Sequence, residues 1–202
     1  MAWDFDITGD PIDAWMIQEM LWDLRPDLVI ETGTFNGGGA VFYASIMKYY
    51  NPDSRVISID PRSYKTPEAV YKGNYNSIPA DCLPFAREMV TFLEGYPHSE
   101  KIKNEVRMLM AQWNATKVML IEDSHHQYKM VLDNVNSYKD LVPKDGYILV
   151  QDTKMDRFSN RAGPRKAVHD WLRDNPHFQM DRAYEKLFYY SQHVQGILKR
   201  IN

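Results

Sequence analysis

The sequence predicts an α/β fold of the doubly wound kind, with a mostly parallel sheet and an antiparallel strand at the C-terminal end. Three observations lead there. Short aliphatic runs recur along the chain, most of them closing on an acid. They lack the polar–apolar alternation of a half-exposed strand, so they read as strands covered on both faces. Segments with helical spacing separate them, and a βαβα alternation marks this architecture.

Residues 11–24 place Ile12, Trp15, Met16, Met20 and Leu24 near the i, i+3, i+4 pattern of a helix. Arg25-Pro26 ends it, because a residue before proline avoids the helical region. Leu28-Val29-Ile30-Glu31 is the first strand, and residues 38–49 form the next helix. Arg55-Val56-Ile57-Ser58-Ile59-Asp60 is the second strand. Residues 61–88 are a long, insertion-like connection holding Pro61, Pro67, Pro79 and Pro84. A connection of that length inside a compact domain is usually functional or partly disordered. Val90-Thr91-Phe92-Leu93-Glu94-Gly95 is the third strand; residues 99–113 form a helix with Ser99 as its N-cap. Lys117-Val118-Met119-Leu120-Ile121-Glu122-Asp123 is the fourth strand, followed by a helix over 127–141. Tyr147-Ile148-Leu149-Val150-Gln151-Asp152 is the fifth, followed by a helix over 164–175. Residues 187–190 and 196–200 read as two closing strands.

With 202 residues, the chain is expected to be one domain, 1–202, with residues 1–27 as an N-terminal helical extension. Lys and Arg number 24 against 27 Asp and Glu, a net charge of −3 that gives no electrostatic footprint for nucleic acid. The single cysteine, Cys82, excludes an intrachain disulfide framework and any multi-cysteine metal site. A reducing, cytoplasmic location is the expectation. The Met1–Asp6 start lacks a basic n-region, and the longest weakly polar stretch, 37–47, is too short to cross a membrane. Trp3, Trp15, Trp22, Trp113 and Trp171 are expected mostly in the core, as are Met16, Met20, Met108 and Met110. The large apolar side chains of residues 11–24 also suit an interface, so a homo-oligomer is an open expectation.

The first strand runs into Glu31-Thr32-Gly33-Thr34-Phe35-Asn36-Gly37-Gly38-Gly39. Glycines between a strand and a helix let the backbone approach a ligand, and the helix N-terminus favours anionic groups; the plainer reading is a turn that needs positive φ. A dinucleotide site wants G-x-G-x-x-G, and a P-loop ends in Gly-Lys-Ser/Thr. Neither is present. An acid at the strand tip suits a cationic amino group beside the loop. Asp60, ending the second strand, suits two ribose hydroxyls. An amino-acid moiety plus a ribose describes S-adenosylmethionine better than a nicotinamide dinucleotide.

The fourth and fifth strand tips carry Asp123-Ser124-His125-His126 and Gln151-Asp152-Thr153. Ligands of an open α/β sheet sit beyond such tips. Methyl transfer to a hydroxyl needs a base or a metal, because the hydroxyl is a poor nucleophile. His126 suits the base, and Asp123 with Asp152 suits a hard divalent cation such as Mg²⁺. On the plainer reading, both acids cap helices and His125 lies on a surface loop. His98, His169, His177 and His193 have no ligand-like spacing and are expected to be structural or exposed.

Taken together, the motifs resemble the cephalosporin hydroxylase family and its relatives, the macrolide-sugar and rhamnosyl O-methyltransferases. The matching residues are Ile30-Glu31-Thr32-Gly33-Thr34, Gly37-Gly38, Val56–Asp60, Glu94-Gly95, Asp123-Ser124-x-His126, Gln151-Asp152-Thr153 and Gly163-Pro164-x-Lys166-Ala167-Val168. Pro11-x-Asp13 and Gln18-Glu19 also fit. The resemblance implies a Rossmann-like class I methyltransferase fold and an S-adenosylmethionine-dependent O-methyltransferase. Its acceptor would be a small molecule, a sugar or natural-product scaffold. Glu31, Gly33, Thr34, Gly37 and Gly38 would hold the methionine part, with Asp123 beside them. Asp60 would hold the ribose, and Tyr96 and Ser99 would lie near the adenine. Asp123, Gln151 and Asp152 would form the Mg²⁺ site, with His126 as general base. The family usually has Glu-Asp-Thr where this chain has Gln151-Asp152-Thr153, and an amide oxygen is a weaker ligand for a hard cation than a carboxylate. Two alternatives stay open: a degenerate cofactor-binding paralogue and a nicotinamide-dependent oxidoreductase. Acceptor recognition is expected from residues 61–88, from 153–163 or from a neighbouring subunit.

Overall fold

A computed structural model describes residues 10–62, 82–158, 162–188 and 190–202. Its strands are β1 (Leu28–Thr32), β2 (Arg55–Asp60), β3 (Val90–Glu94), β4 (Val118–Glu122), β5 (Tyr147–Val150), β6 (Phe178–Met180) and β7 (Ile197–Arg200). Its helices are α1 (Pro11–Leu24), α2 (Gly38–Tyr50), α3 (Leu83–Met89), α4 (Glu100–Trp113), α5 (Tyr128–Tyr138), α6 (Pro164–Asp174) and α7 (Ala183–Phe188). The sheet order is β3-β2-β1-β4-β5-β7-β6. Strands β1 to β5 pair in parallel, and β7 runs antiparallel between β5 and β6. The doubly wound sheet with an antiparallel C-terminal strand is therefore as expected.

Successive strand residues feed opposite cores, which is why the strands read as unbroken aliphatic runs. Val29, Val56, Met119 and Leu149 join residues of α1, α2 and α3 on one side. Leu28, Ile30, Ile57, Leu120 and Ile148 join residues of α4, α5 and α6 on the other. The same parity places Glu31 and Asp123 toward α2 and turns Glu122 the other way. Glu122 is fully buried and bonded by Asn134 Nδ2 of α5 at 3.1 Å.

Helix α1 begins with Asp10 accepting the Ile12 N–H at 2.9 Å, with Pro11 preset for the first turn. It ends where Arg25 turns left-handed (φ 47°) and donates its N–H to Leu21. Its buried stripe is Asp13, Met16, Ile17, Met20 and Leu21, rotated by one residue from the expected stripe. Trp15 and Trp22 are thus on the surface rather than in the core. Trp15 meets Phe188 edge-on and donates to Glu19, and Arg25 lies over Trp22. Trp171 is buried as expected, Trp113 packs against the core from its edge, and Trp3 lies outside the described residues. Met16 and Met20 are core, Met110 is partly buried, and Met108 is exposed.

Ser99 occupies the N-cap position of α4 in extended backbone, without a side-chain capping bond. The expected helix over 127–141 is α5 followed by a 3₁₀ turn, Lys139–Leu141. Of the connection 61–88, residues 63–81 lie outside the described residues, and its end is α3 rather than an irregular segment.

The expected strand over 187–190 is corrected. Leu187 and Phe188 are the last two residues of α7, whose start is capped by Asp181 Oδ1 on the Ala183 N–H. Tyr184 and Phe188, four apart, pack on the core beside α1, and this tertiary contact outweighs the β-propensity of the aromatic run. The strand that pairs with β7 on the side away from β5 is Phe178–Met180, only three residues long. No helix among the described residues is long and apolar enough to cross a membrane.

Candidate active site

Strand order reverses between β1 and β4, and a cavity of about 610 Å³ opens beyond the carboxyl ends there. Its floor is the loop from β1 to α2. Gly33 takes φ 99° and donates its N–H to Ile59 O at 2.8 Å. A Cβ on it would sit 2.1 Å from the Asp123 carbonyl oxygen, so only glycine lets the first and fourth strand tips touch. Gly37 (φ 77°) turns the chain into α2. A Cβ on Gly39 would lie 2.8 Å from Glu31 Oε1, so the first turn of α2 closes directly over that carboxyl.

Glu31 accepts a short hydrogen bond from Ser58 Oγ, which lies 2.7 Å from Thr34 Oγ1. Burial pushes the Glu31 carboxyl up to about 8; Ser58 opposes this and the Asp60 charge adds to it. Asp60 accepts the N–H groups of Thr34 at 3.1 Å and Arg62 at 2.9 Å. The Arg62 guanidinium clasps it through Nε and Nη2, both at 2.9 Å, while lying over Phe35. Burial acts to raise the Asp60 pKa, but these contacts prevail and hold it below the ordinary value.

Across the crevice stand Asp123, His126 and Asp152, whose candidate ligand atoms all lie within 4.8 Å of one another. His126 and Asp152 are both left-handed (φ 50° and 53°), turning their side chains toward each other; Nε2 to Oδ2 is 3.3 Å. Burial, then the charges of Asp152, Glu31 and Glu122, pushes the Asp123 carboxyl far above its ordinary value. Burial lowers the His126 pKa, with Asp152 opposing it. Gln151, next to Asp152, donates through Nε2 to Tyr43 OH at 3.2 Å.

A model of the family described as rhamnosyl O-methyltransferase/CmcI matches residues 3–201 of this chain. A rhamnosyl O-methyltransferase of Mycobacterium leprae (strain TN) is 31% identical over 196 residues, covering 93% of this chain and 77% of that protein. The chain belongs to the rhamnosyl O-methyltransferase/CmcI family. Its enzyme class follows: an S-adenosylmethionine-dependent O-methyltransferase. Among solved structures, the CmcI apo-structure aligns with a TM-score of 0.69 at 21% identity, covering 96% of this chain and 72% of that one. A CmcI structure described with Mg and SAM gives 0.65 at 20%, covering 96% and 73%. At such identities the two structures bear on the fold.

Most of the expected residues of this family member converge on the one cavity: Glu31, Gly33, Thr34, Gly38, Asp60, Asp123, His126, Gln151 and Asp152 all line it. Gly37 does not line it; its left-handed backbone turns the loop into α2. Tyr96 and Ser99 are not among the lining residues; Pro97 between them is, and Tyr96 is exposed beside His98. Sequence reasoning missed Arg62 and Tyr43, and it left His193 among the structural or exposed histidines. His193 is buried in the cavity wall beside Asp13. No spacing pattern signals Tyr43 or His193, because their partners lie far away in the chain, and the Arg62 clasp on Asp60 depends on the turn after β2.

The raised Glu31 carboxyl has a measurable consequence. The folded protein holds this proton more tightly than the unfolded chain, whose glutamate titrates near 4.5. The associated stability is fully present below that value and is lost as pH rises toward 8. Melting temperature without cofactor is expected to fall between pH 5 and 8 more steeply in the wild type than in Glu31→Gln. Parallel curves for the two proteins would contradict the assignment.

Proposed function

We propose that this chain transfers the methyl group of S-adenosylmethionine to a hydroxyl of a small molecule, a sugar or natural-product scaffold. The observation that carries the reading is one crevice with two halves. The acid–glycine loop and Asp60 line one half, and the Asp123, His126 and Asp152 cluster lines the other. The first half suits the cofactor. Glu31 and the loop face an amino-acid moiety, and Asp60, on exchanging Arg62, faces ribose hydroxyls.

The second half suits the chemistry. Bound there, the cofactor supplies a sulfonium methyl, and a divalent cation supplies charge that weakens the acceptor O–H bond. Asp123 and Asp152 fit such a cation, because two carboxylates this close repel one another and a cation relieves that repulsion. Gln151 and Mg²⁺ stay within the proposal, with the amide held by Tyr43. His126 Nδ1 is buried without a partner while Nε2 opens toward Asp152 Oδ2 at 3.3 Å, and this ring is the group placed to take the acceptor proton. Burial keeps the ring neutral and ready as a base, and Asp152 stabilises the imidazolium that forms. The C–O bond forms as the C–S bond breaks, and the hydroxyl proton ends on His126.

Isothermal titration with S-adenosylmethionine and S-adenosylhomocysteine tests the cofactor half. Both are expected to bind well below about 1 mM, which corresponds to roughly −4 kcal/mol; no binding at that level sinks the reading. In a turnover assay, activity surviving exhaustive chelation would remove the cation from it.

A further inference from the structure

Asp152, two residues beyond β5, takes a left-handed conformation that is uncommon for non-glycine residues (φ 53°, ψ 26°). Its own N–H is anchored. It donates to Nδ1 of His193 at 3.0 Å, from the loop between α7 and β7. Because Nδ1 accepts, the ring proton belongs on Nε2. That nitrogen has no hydrogen-bond partner and faces Asp13 Oδ2 of α1 at 3.7 Å. Asp13 Oδ2 in turn accepts the Gln192 N–H at 2.9 Å. Both residues are 3% exposed, and Asp13 Oδ1 is unpartnered.

Further bonds sew this loop to the β5 tip. Thr153 Oγ1 donates to Val194 O at 2.6 Å, and Lys154 N donates to Gln192 O at 2.9 Å. Val150 N donates to Gly196 O at 2.8 Å, where a Cβ on Gly196 would sit 2.1 Å from Val150 O. A buried carboxylate facing a buried imidazole beyond hydrogen-bond reach is a poor way to stabilise a core. Its geometry makes sense as a brace for the residue it ends on.

We infer that Asp13 and His193 are positioning residues: Asp13 orients the His193 ring, and His193 holds the Asp152 backbone so that its carboxylate faces His126 and Asp123. The inference rests on the proposed methyl-transfer reading for its consequence, though not for the brace itself.

Two variants and an amide measurement test it. His193→Ala removes the acceptor; His193→Asn places an amide oxygen near the position of Nδ1. Removing an outer partner of this kind typically costs about 10–100-fold in activity. His193→Ala is expected to lose kcat in that range, with S-adenosylhomocysteine affinity unchanged within about twofold. His193→Asn is expected to recover most of the loss. A merely structural role predicts equal losses in both variants, tracking their melting temperatures, and that pattern overturns the inference. The Asp152 amide provides the arm that needs no activity. By NMR hydrogen exchange it is expected to be protected in wild type and His193→Asn, and to exchange about tenfold or more faster in His193→Ala. A fast-exchanging Asp152 amide in wild type also overturns it. If wild type binds no cofactor yet the amide pattern holds, the methyl-transfer reading fails and the brace stands.

Discussion

Turnover is expected to fall about 10²–10⁴-fold when His126 is replaced by Asn, the range that a general base contributes. Cofactor affinity is expected to stay within about twofold, because His126 stands with Asp123 and Asp152 in the other half of the crevice. Asn is the informative substitution. His126 sits at φ 50°, where Ala carries a penalty of roughly 1–2 kcal/mol and Asn is tolerated. His126→Ala is expected to lose turnover as well, with some loss of local order added. Comparing the two separates the missing base from the strained backbone. Unchanged kcat in His126→Asn, with both proteins folded, removes the base role outright.

The largest structural effect is expected at Gly33. An alanine there places its Cβ 2.1 Å from the Asp123 carbonyl oxygen, 2.7 Å from its carbon and 2.9 Å from Ser124 Cα. All three are backbone atoms, so no side chain can swing away, and φ 99° is itself unfavourable for alanine. The first and fourth strand tips must separate or the loop must refold. A destabilisation above about 4 kcal/mol, at the exceptional end for single substitutions, is expected together with loss of S-adenosylhomocysteine binding. Urea unfolding and titration measure both. Wild-type midpoints and affinity in Gly33→Ala would mean that the contact between the two tips is dispensable.

How much of this was legible in the sequence follows from where the signal resides. The five parallel strands were readable because each is covered on both faces, which forces an unbroken aliphatic run. Glu31, Asp60, Asp123 and Asp152 were readable because strand tips at a reversal of sheet order are where ligands sit. What failed was decided by tertiary contact. The stripe of α1 is rotated by one residue, with Asp13 inward where it accepts the Gln192 N–H. The aromatic run at α7 looked like a strand, yet Tyr184 and Phe188 pack as a helix pair on the core. β6 is too short for any pattern to rise above chance. His193 lies 41 residues from Asp152 and 180 from Asp13, so only the fold reveals that the three meet. Arg62 stands two residues after Asp60, and its clasp depends on the turn that follows β2.

The placement of β7 has a consequence in time. It follows every other strand in the sequence, yet it lies between β5 and β6 in the sheet. Until it arrives, β5 has a bare edge and β6 has no neighbour. The β5 tip then also lacks the His193 loop that carries on into β7. During synthesis the glycine loop and its cofactor half can therefore assemble early, while the reacting half waits for the segment that follows β6. Long-range closure of this kind is slow and exposes an unpaired edge meanwhile. A nascent chain would thus gain the ability to hold its cofactor before it gains the ability to use it.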